Sequence, residues 1–342
     1  MNVLVFDIET IPDLDGGRRI YDLDGLNDKD TASALLNLRR QENGTEFLRL
    51  HLHRIVAISV VLRSTQGIKV WSLGDEDSTE KELIERFYDG IDRFSPNLVS
   101  WNGGGFDLPV LHYRALKHGV QARRYWETGN EDTSFKWNNY LSRYHQRHLD
   151  LMDQLALFNA RANAPLDQIA TLLGFPGKMG MSGGKVFDAF QEGNLKGIRD
   201  YCETDVLNTW LVYLRFQLMR GELDPTGYEQ ELTLLQDYLK AEGHPHFLSF
   251  LEDRGLRDMA ALTPRTLRAW LGTLDERGLA PSTIQRKLSS VRGFLRHLAD
   301  EGQIEVNPAL GLRQRRRPRH LPSVLSEEEI ASLLLAPDPS TP

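Results

Sequence analysis

The chain of 342 residues carries 41 Lys and Arg against 48 Asp and Glu, 40% hydrophobic residues and a single Cys. This is globular composition with room for two cores, and a net charge of −7 excludes a uniformly basic nucleic-acid coat. The lone thiol, Cys202, excludes an intramolecular disulfide and a zinc site built on several Cys, while Met1–Phe6 is too short for a leader, so a soluble cytoplasmic protein is expected.

Asn2–Phe6 is a continuous apolar run, which predicts a buried strand ending at Asp7-Ile8-Glu9-Thr10, its acids facing a crevice. Residues 13–53 are polar, with one predicted helix near Thr31–Gln41, and read as an insertion over one face. Arg54–Arg63 and Ile68–Ser72 predict a hairpin turning near Gln66-Gly67, and neither is long enough to cross a membrane. After Ser78, the residues Leu83, Ile84, Phe87, Ile91 and Phe94 recur at helical spacing, and Asn97–Trp101 reads as a fourth strand. Helical patterns follow from Leu108 to Arg220, and Gly221–His246, rich in Gly, Pro and charge, is expected to close the unit. The predicted fold class is α/β over residues 1–243, a mixed sheet flanked by helices, followed by a small all-α unit over 244–342.

In that second unit Thr263-Pro264, Pro281-Ser282 and Ser326 with Glu329 are helix-start signals. Ile284, Leu288, Val291, Leu295 and Leu298 form one apolar stripe, with Arg286, Lys287, Arg292 and Arg296 off it. Charge separates the two units: residues 1–243 hold 27 Lys and Arg against 36 Asp and Glu, residues 254–320 hold 14 against 6. Five arginines between Arg313 and Arg319 sharpen the contrast, and a basic helical unit on an acidic body suggests nucleic-acid contact.

Three patches carry the candidate chemistry: Phe6-Asp7-Ile8-Glu9-Thr10, Trp101-Asn102-Gly103-Gly104-Gly105-Phe106-Asp107, and Tyr201-Cys202-Glu203-Thr204-Asp205. Asp7 and Glu9, two apart on a strand, share a face, as do Tyr201 and Asp205, four apart on a helix. Four acids gathered without matching cations would repel strongly, and divalent cations resolve the repulsion. Oxygen ligands without His or Cys favour Mg²⁺ or Mn²⁺ over Zn²⁺, and a pair of such ions suits phosphodiester hydrolysis. Gly177-Lys178 and Gly183-Gly184-Lys185 lack phosphate-loop spacing, so Lys178 and Lys185 are read instead as cations on a mobile loop beside a nucleic-acid channel. Cys202 is read as a packed helix residue.

In this order the patches resemble the three motifs of the DEDD superfamily of 3′-5′ exonucleases on the ribonuclease H-like fold. Residues 1 to about 243 resemble the predicted exonucleases related to the proofreading domain of family B DNA polymerases. The resemblance implies that Asp7, Glu9, Asp107 and Asp205 hold two Mg²⁺ or Mn²⁺ ions. It implies that Tyr201 orients the attacking water, as in the tyrosine subclass; the histidine subclass would need His where Asp200 stands. Thr10, Trp101, Asn102 and Phe106 would receive the terminal nucleotide, and His148, Asp150 and Asp153 match a segment that supports the site. Single-stranded 3′ ends are the implied substrate, DNA before RNA.

Residues from about 247 to 335, notably Ser282-Thr283-Ile284-Gln285-Arg286-Lys287-Leu288 and Asn307-Pro308-Ala309, are similar to the core-binding, DNA-clamping domain of Xer-type tyrosine recombinases. That similarity implies duplex contact through Arg286, Lys287, Arg292, Arg315, Arg316 and Arg317. The recombinase catalytic domain has no place in the chain, so no recombinase chemistry is expected. A rival reading is a non-catalytic DNA-binding protein on an inactive exonuclease fold, tied to DNA recombination or integration; an endonuclease on the same fold is a third. No membrane partner is expected.

Overall fold

The computed structural model describes residues 2–252, 264–276, 279–300 and 307–312, so the Arg313–Arg319 run, with Arg315, Arg316 and Arg317, and the Ser326 cap lie outside the described residues. The first strand, β1 (Val3–Pro12), does not stop at Phe6 but runs on through the acids. The reason lies in its alternation: Leu4, Phe6 and Ile8 face one core while Val5 faces the other, so Asp7 and Glu9 continue a strand whose far side is already buried. β2 (His53–Ser64) pairs antiparallel with β1 along its whole length, with a register slip between Glu9 and Thr10 where β2 carries Val56 as an extra residue.

The insertion forms two helices, α1 (Leu14–Tyr21) and α2 (Asp28–Asn43), capped by the side chains of Asp13 and Asn27. They close over a small core of Leu35, Leu48 and Leu52. β3 (Gly67–Ser72) completes the hairpin with β2. α3 (Glu80–Phe94) begins one residue later than Ser78 suggested, because Thr79 and Glu82 form a reciprocal capping box; Ser78 accepts from the Asp75 N–H instead. β4 (Asn97–Ser100) leads through the glycine loop into α4 (Asp107–His118).

Residues 119–147 depart from the helical expectation and are largely irregular, ending in a short fifth strand, β5 (His148–Asp150). Short helices α5 (Leu151–Leu155), α6 (Leu166–Leu172) and α7 (Val186–Gln191) precede the long α8 (Leu195–Met219). Segment 221–246, expected to close the unit, is mostly helical: Asp224 caps, and Pro225 opens, α9 (Pro225–Glu242).

The sheet order is β3-β2-β1-β4-β5, with β1, β4 and β5 mutually parallel, β2 antiparallel to its neighbours β1 and β3, and β3 therefore running in the direction of β1. Core residues of α3 and α4 cover one face and those of α8 cover the other. Around α8 pack α6, α9 and α10 (Pro245–Glu252), with α9 also resting on β3 through Tyr238 and Val70, which explains why α8 is apolar almost all round. Phe247 and Phe250 of α10 are 1% and 0% exposed in that core, so α10 packs with the first of the two compact units, Met1–Arg257 and Asp258–Pro342.

In the second unit α11 (Pro264–Glu276) and α12 (Pro281–Asp300) bury Leu267, Leu288, Leu295, Ala309 and Leu312. Arg286, Lys287 and Arg296 are exposed, whereas Arg292 departs from the expected DNA-facing role: its guanidinium is spent on the Ala309 and Leu312 carbonyls. Among the described residues no helix is long and apolar enough to cross a membrane.

Candidate active site

β4 pairs only with Val3–Val5, so beyond Val5 the β4-side edge of β1 is open. Parallel strands that end this way leave a crevice at their carboxyl ends. The loop from Ser100 folds back into it: Gly103 packs so tightly on Ser100 that a Cβ there would lie 2.2 Å from the Ser100 hydroxyl. The three glycines therefore serve close packing; none has the positive φ that flexible turn geometry would require. Asp150 anchors the loop through the N–H groups of Asn102 and Gly104, each at 2.9 Å, while also capping α5. Its bonds are thus all to backbone, while His148 binds Ser100 Oγ at 2.8 Å and Asp153 pairs with Arg143.

This anchoring delivers Asp107, the first residue of α4, to the open edge of β1, where its carboxylate accepts the Ile8 N–H at 3.1 Å, between Asp7 and Glu9. From the opposite side α8 presents Tyr201 and Asp205, joined by a hydrogen bond from phenol to carboxylate. The four acids repel one another, and burial adds to this. Burial first, then neighbouring carboxylates, raise Asp7 and Glu9 well above the usual carboxylate range. Burial likewise pushes Asp107 up to about 7 and Asp205 to about 6. Tyr201 is raised by burial and then by Asp205 and Glu9, so its phenol stays protonated and donates.

Lys178 is the cation whose charge offsets Glu9 and Asp205. Its loop is fixed by Asn208, which exchanges hydrogen bonds with Gly177, and by Asp167, which accepts the Lys178 N–H at 2.7 Å. Gly177 has φ +70, and a Cβ there would meet Asp167 at 2.7 Å, so glycine is required. Asn208 stands seven residues after Tyr201 and three after Asp205, a helical-face signal that sequence reasoning passed over. Lys185 sits exposed in a short turn before α7 and has no described contact with the acids.

Thr10 hydrogen-bonds His53 at 2.8 Å, and Phe106 packs edge-on against His53 and tilted against Phe47. Phe47, 56% exposed and from the insertion, was not foreseen as part of this wall. Asn102 takes φ +64 at the loop's turn, and the Trp101 indole N–H is committed to the Ala164 carbonyl, so Trp101 is held as a strut. Cys202 was read as packing alone, but its Sγ lies 3.6 Å from Asp7 Oδ2.

The donor set of four desolvated carboxylates fits hard divalent cations, which would supply the positive charge the protein withholds. Metal-free protein should then be strained by these charges. Asp107→Asn is expected to raise the melting temperature of the EDTA-treated chain at about pH 8, with the gain shrinking as pH falls through the folded value and vanishing below about pH 3, where the carboxyl is protonated in both folded and unfolded states. Calorimetry showing an equal or lower melting temperature for the variant at the higher pH would remove this account.

Residues 45–254 match the family described as "Predicted 3'-5' exonuclease related to the exonuclease domain of PolB", and residues 245–302 match the "Phage integrase, N-terminal SAM-like domain". Asp107, Tyr201 and Asp205 fall inside the first match; Asp7 and Glu9 precede it. Among curated relatives, tyrosine recombinase XerC of Oceanobacillus iheyensis is 28% identical over 136 residues, covering 40% of this chain and 41% of that one. Tyrosine recombinase XerD of Chlorobaculum tepidum is 38% identical over 91 residues, covering 27% and 30%. The chain thus spans less than half the length of these relatives. A family B DNA polymerase from the hyperthermophilic archaeon Pyrobaculum calidifontis aligns with a TM-score of 0.40 and 20% identity, over 70% of this chain and 28% of the polymerase. With more than half its length matched by the first family, the chain belongs to the predicted 3′-5′ exonucleases related to the exonuclease domain of PolB.

Proposed function

We propose that the first unit is a metal-dependent exonuclease that removes nucleotides from the 3′ end of single strands, DNA before RNA, and that the second unit holds DNA. The observation that carries this reading is the convergence of Asp7, Glu9, Asp107 and Asp205 with Tyr201 in one crevice. Those four acids would hold two Mg²⁺ or Mn²⁺ ions, which supply Lewis-acid stabilisation of the charge that builds up on the phosphate. Tyr201, protonated and bonded to Asp205, would orient the attacking water by its hydroxyl and is too weak an acid to serve as the base. Phe47 and Phe106 would take the terminal base by stacking, with Thr10 and Asn102 at the same wall and Lys178 near the phosphate. Trp101 would shape the pocket from behind. The single thiol and the absence of a crossing helix among the described residues accord with work in the cytoplasm.

A time course on 3′- and 5′-labelled single strands, duplex and RNA, with and without Mn²⁺, tests the reading. Stepwise loss from the 3′ end with Mn²⁺ is expected, and circular single strands should survive. Cleavage of circles would favour an endonuclease, and salt-sensitive binding without any product would favour the non-catalytic rival.

For the second unit, binding of duplex DNA should weaken with salt. Replacing Arg286 and Lys287 together by Ala should lower the slope of log affinity against log salt by about 2, since each phosphate contact contributes roughly 0.9. Fluorescence anisotropy at several salt concentrations measures the slope, and an unchanged slope would remove both residues from the interface.

A further inference from the structure

We propose that Cys202 gives the acid cluster a second, thiophilic mode, in which Zn²⁺ or Cd²⁺ is held by Asp7, Glu9 and Cys202. The inference rests on the reading of these acids as metal ligands. The relevant atoms of the three residues already lie within 4.8 Å of one another. Tetrahedral zinc, with Zn–O near 2.0 Å and Zn–S near 2.3 Å, sets an oxygen and a sulfur ligand about 3.5 Å apart. Cys202 Sγ and Asp7 Oδ2 stand at 3.6 Å, so this pair needs almost no rearrangement to share a tetrahedral ion.

Metal hardness decides between the modes. Mg²⁺ and Mn²⁺ prefer oxygen and would leave the thiol bound to Asp7, whereas Zn²⁺ and Cd²⁺ gain from a thiolate. On capture the Cys202 S–H bond breaks, its proton passes to solvent and its electron pair binds the metal. Asp7 and Glu9 would then be turned toward α8 and away from Asp107, so the soft-metal form would be inactive. Cys202 is fully buried beneath Asp7, which makes it a fixed ligand and shields it from bulky thiol reagents.

Because Cys202 is the only cysteine in the chain, a sulfur-to-cadmium charge-transfer band can arise from no other residue. Cadmium titration of the metal-free full chain should give that ultraviolet band, saturating at one ion per chain. Cys202→Ser and Cys202→Ala should abolish it, and Asp7→Asn with Glu9→Gln, which keeps the thiol, should weaken cadmium binding at least roughly tenfold. Thermal melts confirm that each variant is folded, and the acid double variant decides the matter alone if neither Cys202 variant folds. Cadmium bound by calorimetry without a band, no cadmium bound, or a band of unchanged affinity in the double variant would each overturn the proposal. The band needs no nucleic acid, so a chain that forms it but hydrolyses nothing fails only as a nuclease. One that hydrolyses with Mn²⁺ but forms no band fails only here.

Discussion

Asp7→Asn or Asp205→Asn is expected to lower the proposed single-turnover hydrolysis of a labelled single strand by at least roughly three orders of magnitude, the equivalent of several kcal/mol of transition-state stabilisation. Each substitution keeps side-chain volume and removes one charge from a crevice in which burial holds all four acids above the usual carboxylate range. The fold should therefore be preserved, and the metal-free variant should melt no lower than the parent, which separates lost chemistry from lost structure. Nucleic-acid binding should persist, since the aromatic wall of Phe47 and Phe106 and the second unit are untouched. Tyr201→Phe is the milder companion: the ring still fills its place on α8, only the hydroxyl is lost, and the rate should fall by about a hundredfold. Near-parental rates in both Asp variants would end the nuclease assignment.

The elements that carry these residues were legible to different degrees, for physical reasons. The pairs Asp7 with Glu9 and Tyr201 with Asp205 follow the strand and helix periods directly, so their shared faces could be read without a structure. The continuation of β1 to Pro12 was hidden because acids at alternate positions look like a strand's end until the partner strand, β2, is known to run beside them. α9 was hidden behind Gly, Pro and charge, although Asp224-Pro225 is itself a cap followed by a first-turn proline. β5 is three residues long and includes a buried His148, too little for any pattern to emerge. Arg292 shows the opposite failure: an arginine off the apolar stripe looks free, yet the chain returns to it at Ala309 and Leu312, which local spacing cannot foretell. The same holds for Cys202, whose neighbour Asp7 lies 195 residues away.

Arg114 is the extreme case of such distant pairing, and it carries the largest stability effect expected in the molecule. At 2% exposed, it donates to both oxygens of Glu80, at 2.7 and 2.6 Å, and to Asp13, which also accepts from Lys117 at 2.8 Å. Glu80 accepts the Ile55 N–H as well, and Asp13 caps α1, so one guanidinium ties the insertion, β2, α3 and α4 together. Arg114→Ala should cost about 3–5 kcal/mol in urea unfolding, because two buried carboxylates lose their shared guanidinium while keeping their desolvation cost, with Lys117 left to Asp13 and His118 to Glu80. Arg114→Lys should recover little of this, since an ammonium cannot bridge Glu80 and Asp13 through a planar fork. Arg114→Met combined with Glu80→Gln and Asp13→Asn should cost less than Arg114→Met alone, as no unpaired charge remains. The pH dependence has a definite sign. Burial alone would raise Asp13, but hydrogen bonds from Lys117 and Arg114 outweigh it and hold its carboxyl at about 2, below its ordinary 3.8. A depressed carboxyl contributes its stability in full above the unfolded value and loses it as pH falls through the folded one. The wild-type contribution of Asp13 should therefore be level from neutral pH down to about pH 4 and fall below it, so the gap between wild type and Arg114→Ala should have begun to narrow by that pH at the latest. A gap of less than about 1 kcal/mol at neutral pH, the range of exposed ion pairs, would show that water reaches this network and that it does not hold the insertion in place.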